Sequence, residues 1–235
     1  MGMKNQTTFN MTMTAMFIAM IAVMTFVPNV GYINLIVIKA TILHVPVIIG
    51  SIVLGPKSGA VLGTVFGMTS LLKNTLEPSL LSFAFSPFYS VGDIGGNGWS
   101  IVIALVPRIL VGIVPYFVFK GIEQLIKNKK GRRMLALPLA CLAGSLTNTL
   151  LVMNLIYLCF REEFATVKEI AIESVYNVIL GIIAANGIPE AVAAMITGTA
   201  ISLVLLKVMS QESKYPREVQ YLNENLIRQN CDKEV

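Results

Sequence analysis

SIVIALVPRILVGIVPYFVFKGI, Ser100 to Ile122, decides the fold. It is apolar almost throughout, it is long enough to cross a hydrocarbon layer about 30 Å thick, and it carries Arg108 in its interior and Lys120 near its end. A soluble helix alternates apolar and polar faces; this stretch has no polar face, so its solvent is lipid. The rest of the chain agrees. Hydrophobic residues make up 55% of it, charged ones 13%, and the mean hydropathy is +0.73.

Working outward, further apolar segments are Met11–Val27, Ile42–Leu54, Ser58–Leu72, Met134–Phe160 and Glu190–Val208. The second and third of the resulting six are short, and Gly55-Pro56-Lys57 marks a tight turn between them. Ile170–Ala185 is weaker, with Glu173 and Asn177 inside it; it reads as an interfacial helix or as the approach to the last span. Met11–Val27 leads into Pro28 and then more membrane segments, so it reads as a first span and not as a cleaved signal. The expectation is an all-α integral membrane bundle of about six helices over 11–208, a short segment 1–10, and a polar tail 209–235.

Charge gives orientation. Lys4, Lys57, the Lys120–Arg133 region, Lys207 and the basic residues of the tail fall on one side; only Lys39, Lys73, Arg161 and Lys168 fall on the other. The positive-inside rule puts both termini in the cytoplasm. Flanked by two spans, the Lys120–Arg133 loop is a topology determinant and not a nucleic-acid patch.

Several chemistries are excluded. The chain has no phosphate-binding Gly-rich loop ending in Lys-Ser or Lys-Thr, no HExxH and no GxSxG. A single histidine, His44, rules out sites that need two. Cys141, Cys159 and Cys231 have neither a pairing pattern nor metal-ligand spacing, so no disulfide, metal or resident cofactor is expected. Glu162 and Glu163 lie in a polar loop.

The candidate binding residues are those that membrane burial makes expensive. Arg108, about eight residues from the outer end of its span, suits a ligand carboxylate or a link to Glu190. Asn148, deep in the fifth span, either staples helices or lines a cavity; Asn154 is weaker. Asn186-Gly187-Ile188-Pro189-Glu190 reads as the start of the sixth span, whose partial positive charge suits an anion. The segment Asn74–Trp99 interleaves Phe83, Phe85, Phe88, Tyr89, Asn97 and Trp99 with turn residues, as a lid would. Pro28–Thr41, with Tyr32 and Lys39, would form a second wall. Gly59, Gly63 and Gly67 make a small face that reads as packing within the bundle; Ala15, Ala19 and Ala22 make one that reads as packing or as a partner surface.

Two passages, Ile38-Lys39-Ala40-Thr41-Ile42-Leu43-His44-Val45-Pro46-Val47-Ile48-Ile49-Gly50 and Leu54-Gly55-Pro56-Lys57-Ser58-Gly59-Ala60, resemble the substrate-binding S components of energy-coupling factor (ECF) vitamin transporters. So do Phe66–Ser70, Ser82–Phe88 and Val106–Gly112, and the resemblance spans roughly Thr12–Val208. It implies a six-helix bundle with cytoplasmic termini and an outward-facing site built from outer loops and helices four to six. It also implies docking on a transmembrane coupling subunit through the alanine face of helix one, and ATP use by two cytosolic ATPase partners. Ser82–Phe88, together with Pro107-Arg108, looks most like the pantothenate-type members. A pyridoxine-type compound or riboflavin is the alternative within the family, although riboflavin members often carry Asp where this chain has His44. A membrane enzyme acting on a lipid-soluble substrate, through a pair such as Glu190 and His44, is the alternative outside it.

Overall fold

The computed structural model describes residues 3–27, 32–35, 38–126 and 129–212. The tail beyond Glu212 with Cys231, Lys127, and parts of the first outer loop lie outside the described residues. The chain is mostly helical. In order it forms α1 (Met3–Phe26), a hairpin of β1 (Tyr32–Leu35) and β2 (Ile38–Thr41), α2 (His44–Leu54), α3 (Pro56–Leu76), and a small ribbon of β3 (Ser90–Val91) and β4 (Ile94–Gly95). Then follow α4 (Gly98–Val111), α5 (Val114–Leu125), α6 (Lys129–Cys159), α7 (Arg161–Lys168), α8 (Val175–Ile182) and α9 (Ile188–Glu212). Both strand pairs are antiparallel.

Among the described residues, four segments are long and apolar enough to cross a membrane: Thr7–Phe26, Gly98–Leu125, Arg132–Cys159 and Ile172–Met209. α2, at 11 residues, is too short by itself, and it is enclosed: His44 through Ile52 are all buried. A helix apolar on every side and surrounded by other helices needs no lipid contact, so its shortness is tolerated. α3 extends past the expected Leu72 to Leu76.

The expected turn between α2 and α3 forms as anticipated. Gly55 takes φ of 95°, a region that favours glycine, and Pro56 fills the first turn of α3, where its missing N–H is no loss. The glycine face of α3 packs inside the bundle. A β-carbon added at Gly59 would overlap the Gly112 carbonyl oxygen, at Gly63 that of Arg108, and at Gly67 that of Ala104. All of these are backbone atoms of the fourth span, so α3 and α4 pack at backbone contact.

The stretch Ser100–Ile122 is one crossing but not one helix. α4 ends at Val111 and α5 starts at Val114, with Pro115 in its first turn. Pro107 and Pro115 remove two helical donors, and the chain bends at Gly112-Ile113, where Gly112 meets Gly59.

The sixth span differs from expectation. Asn186 to Glu190 does not start a helix. α8 runs through a π-helical turn, Ile183–Gly187, directly into α9. Pro189, expected as a helix opener, instead sits four residues after Ala185 and denies that carbonyl its α-helical donor; the wider π turn accommodates this. With no free helix start there is no N-terminal dipole site at Asn186–Glu190. Ile170–Ala185 is the approach to the last span.

The end carrying the β3–β4 ribbon has its own core, with Phe83, Ile103, Ile156, Phe160, Phe164 and Ile179 buried together, and Phe83 meeting Phe160 edge-on at 5.6 Å. Glu162 and Glu163 stand in the first turn of α7, a helix where a loop was expected; there they favour the helix dipole while Phe164 and Ala165 are buried. At the opposite end, one groove is lined by Asn10, Gly55, Lys120, Glu123, Arg133 and Met209.

Candidate ligand site

Arg108 is 8% exposed, and its surroundings follow from the residue before it. Pro107 has no N–H, so the Ile103 carbonyl four residues back lacks its usual helical partner. Arg108 Nη1 donates to that oxygen at 2.8 Å, and Nη2 approaches Ser70 Oγ of α3 at 3.4 Å. The guanidinium carbon lies 5.6 Å from the Phe66 ring centroid and 5.1 Å from that of Phe85. The charge is thus held between α3 and the segment expected to be a lid, on two aromatic rings at cation–π distance.

That segment is a folded cap. Its 3-10 turn Ser82–Ala84 is buried. Ser82 Oγ donates to Asn74 Oδ1 at 2.7 Å, Thr75 and Ser86 hydroxyls meet at 2.7 Å, and Ser100 Oγ donates to the Phe83 carbonyl at 2.7 Å. These bonds tie it to the end of α3 and the start of α4, and they set Phe85 over Arg108. Tyr89 is half-buried against the ribbon-end core.

Asn148 and Asn186 lie beside a packing contact between α6 and the π turn. Gly144 of α6 packs on Pro115, and Gly187 packs on Thr149. α6 rises from the Pro115 level while α4 descends to it. At 1.5 Å per residue Asn148 stands roughly 6 Å, Gly187 roughly 7 Å and Arg108 roughly 10 Å above that level. α6 packs against both α4 and the π turn. Asn148 Oδ1 is buried and accepts no hydrogen bond. Glu190, half-buried, lies one helical turn beyond Asn186. Strand β2 packs against the π turn, and within it Lys39 stands opposite Asn34; this is the described part of the expected second wall.

Other expected residues are placed elsewhere. Asn97 is the N-cap of α4: its Oδ1 accepts from the Trp99 amide at 2.9 Å, and Ser100 Oγ accepts from the Asn97 amide at 3.1 Å. Trp99 is 56% exposed; it stands nine residues before Arg108, about 13 Å away along α4 and on the opposite face. Asn97 and Trp99 therefore shape and decorate the start of α4 and do not approach Arg108. Asn154 is exposed and bonds to Leu150 of its own helix. Ala15 and Ala19 lie on the exposed face of α1 among Met11, Met16 and Met20, while Ala22 is half-buried.

Ser70 and Phe66 were not among the expected site residues. Their sequence signal was weak, a serine and a phenylalanine within an apolar span. The firmer signal was Pro107, which marks a carbonyl without its helical donor.

The profile of the family described as "ECF transporter, substrate-specific component" matches residues 9–202. The chain is 41% identical over 207 residues to the pantothenic acid transporter PanT of Lactococcus lactis subsp. cremoris (strain MG1363), covering 87% of this chain and 97% of that one. It is 29% identical over 213 residues to the pantothenate transporter PanT of Leuconostoc mesenteroides subsp. mesenteroides, covering 88% and 96%. With the profile spanning nearly all of the helical bundle and a relative 41% identical over most of its length, the chain belongs to the substrate-specific components of ECF transporters.

Proposed function

We propose that this chain captures pantothenate outside the cell for an ATP-driven ECF importer. The observation that carries the reading is the Arg108 guanidinium, buried at membrane depth and oriented by Ile103, Ser70, Phe66 and Phe85. The curated relatives named for pantothenate transport support the same ligand. Pantothenate offers a carboxylate, an amide and hydroxyls. The carboxylate is ionised at neutral pH and matches the planar fork of an arginine. The Asn148 Oδ1 acceptor suits a hydroxyl or amide donor, and binding would end its unsatisfied state. Asn186, Glu190, Lys39 and Tyr89 complete the layer around the ligand.

In this reading α1, α2, α3, the α4–α5 pair, α6 and the α8–α9 pair make six crossings, with α2 enclosed by the others. The end lined by Lys120 and Arg133 faces the cytoplasm by the positive-inside rule, so the ribbon end and the site open outward. Both termini are then cytoplasmic. Ala15, Ala19 and Ala22 dock on a transmembrane coupling subunit, and two cytosolic ATPase partners supply ATP hydrolysis, for which this chain has no phosphate loop.

The test is calorimetric titration of the purified, ligand-free protein with pantothenate. Binding is expected, and Arg108→Ala should weaken it by roughly 10- to 150-fold, the range for a lost hydrogen bond to a charged group. Unchanged affinity would remove Arg108 from the site. Recovery of a flavin or pyridoxine-type compound with the purified protein would overturn pantothenate as the ligand.

A further inference from the structure

A guanidinium recognises a carboxylate through two parallel N–H bonds only when its plane is correctly turned. A long arginine side chain does not hold one orientation unaided. Around Arg108 two sets of contacts fix it. The Phe66 and Phe85 rings, at 5.6 and 5.1 Å, limit the tilt of the plane. The Ile103 carbonyl at 2.8 Å and Ser70 Oγ at 3.4 Å fix its rotation, one through each terminal nitrogen. Each terminal nitrogen carries two hydrogens, so these contacts persist while a carboxylate is gripped. The Ile103 oxygen is offered only because residue 107 is proline.

We infer that Pro107 and Ser70 are positioning residues which, through the orientation of Arg108, set the preference of the site for an acid over the matching neutral alcohol. This rests on the proposed reading that Arg108 meets the ligand carboxylate. Pro107→Ala returns an amide hydrogen to the Ile103 carbonyl, a helical donor that competes with the guanidinium for this oxygen. Ser70→Ala removes the second acceptor at almost no change in volume. Neither alters the charge.

The experiment titrates the full-length purified protein with pantothenate and with the neutral analogue bearing CH2OH in place of the carboxylate. Both variants are expected to lower the acid-over-alcohol preference by about threefold to tenfold, with affinity for the alcohol within about twofold of wild type. Ser70→Thr, which keeps the hydroxyl, should retain the preference. Equal loss for both ligands would mean a structural role only, and an unchanged preference would mean no role; either overturns the inference, and a shift confined to one variant overturns the role of the other residue. A wild-type protein that does not prefer the acid, or an Arg108→Ala variant that still does, would fail differently: it would sink the carboxylate reading itself and the inference with it.

Discussion

Gly63→Ala should loosen the bundle and weaken ligand binding together, although residue 63 touches no ligand. The methyl group would overlap the Arg108 carbonyl oxygen and come within 2.8 Å of the Ile109 Cα and 2.9 Å of the Arg108 carbonyl carbon. Carbon atoms pack at about 3.5–4.0 Å, so α3 and α4 must separate by about 1 Å. All three neighbours are backbone atoms, and no rotamer change can relieve the contact. Overpacking of this kind costs about 1–3 kcal/mol. At roughly 2–4 °C per kcal/mol for a chain of this size, the thermal midpoint in detergent should fall by several degrees. The displaced backbone is that of Arg108, and Ser70 lies on the other side of the seam, so pantothenate affinity should fall as well. Gly181→Ala is the control, since a β-carbon there meets nothing within 4 Å, and its midpoint should hold or rise slightly. Equal midpoints for Gly63→Ala, Gly181→Ala and wild type would refute the close α3–α4 seam and the route from it to Arg108.

Asn148→Ala should leave the ligand-free protein as stable as wild type or slightly more so, because it removes a buried acceptor without a donor; it should weaken pantothenate binding by about 1–2 kcal/mol, measured by melting with and without ligand. Asn97→Ala should lower stability by about 1 kcal/mol through loss of the α4 cap while leaving affinity unchanged in titration, and a clear affinity loss would return Asn97 to the site. Ala19→Leu should spare binding by the isolated chain and block uptake when coupling and ATPase partners are co-expressed; loss of binding would mean that this face packs within the bundle.

The sequence made the membrane helices legible because lipid imposes one strong demand, a long apolar run, and Ser100–Ile122 satisfies it without ambiguity. The turn at Gly55-Pro56 and the packing face Gly59–Gly63–Gly67 were legible for a similar reason, since few residue types meet those steric conditions. The bend at Gly112-Ile113 and the π turn before Pro189 were not. Proline announces a missing donor, but the way the helix accommodates it depends on what packs alongside: Gly59 at the first site and Thr149 at the second. Of the proposed site, Arg108 and Asn148 stood out as polar groups that lipid penalises. Ser70 and Phe66 carry no such penalty, and only the crossing of α3 with α4 brings them to Arg108. Asn97 shows how a helix cap and a ligand contact call for the same side-chain chemistry; the structure shows the cap.

The two proline-disturbed spans bear on why the proposed binding site lies where it does. An unbroken helix in a membrane satisfies all of its own backbone groups and has none to offer a polar guest. Pro107 releases the Ile103 carbonyl in the fourth span, and Pro189 releases the Ala185 carbonyl in the sixth. Both disturbed regions belong to elements that pack on α6, so the proposed site has irregular backbone in two of the elements beside it. At the first disturbance the released acceptor has been taken up by Arg108, which turns a backbone defect into an anchor for a charge. Irregular helix at membrane depth is tolerated where it lines a polar site, and here the irregularity supplies part of the proposed site.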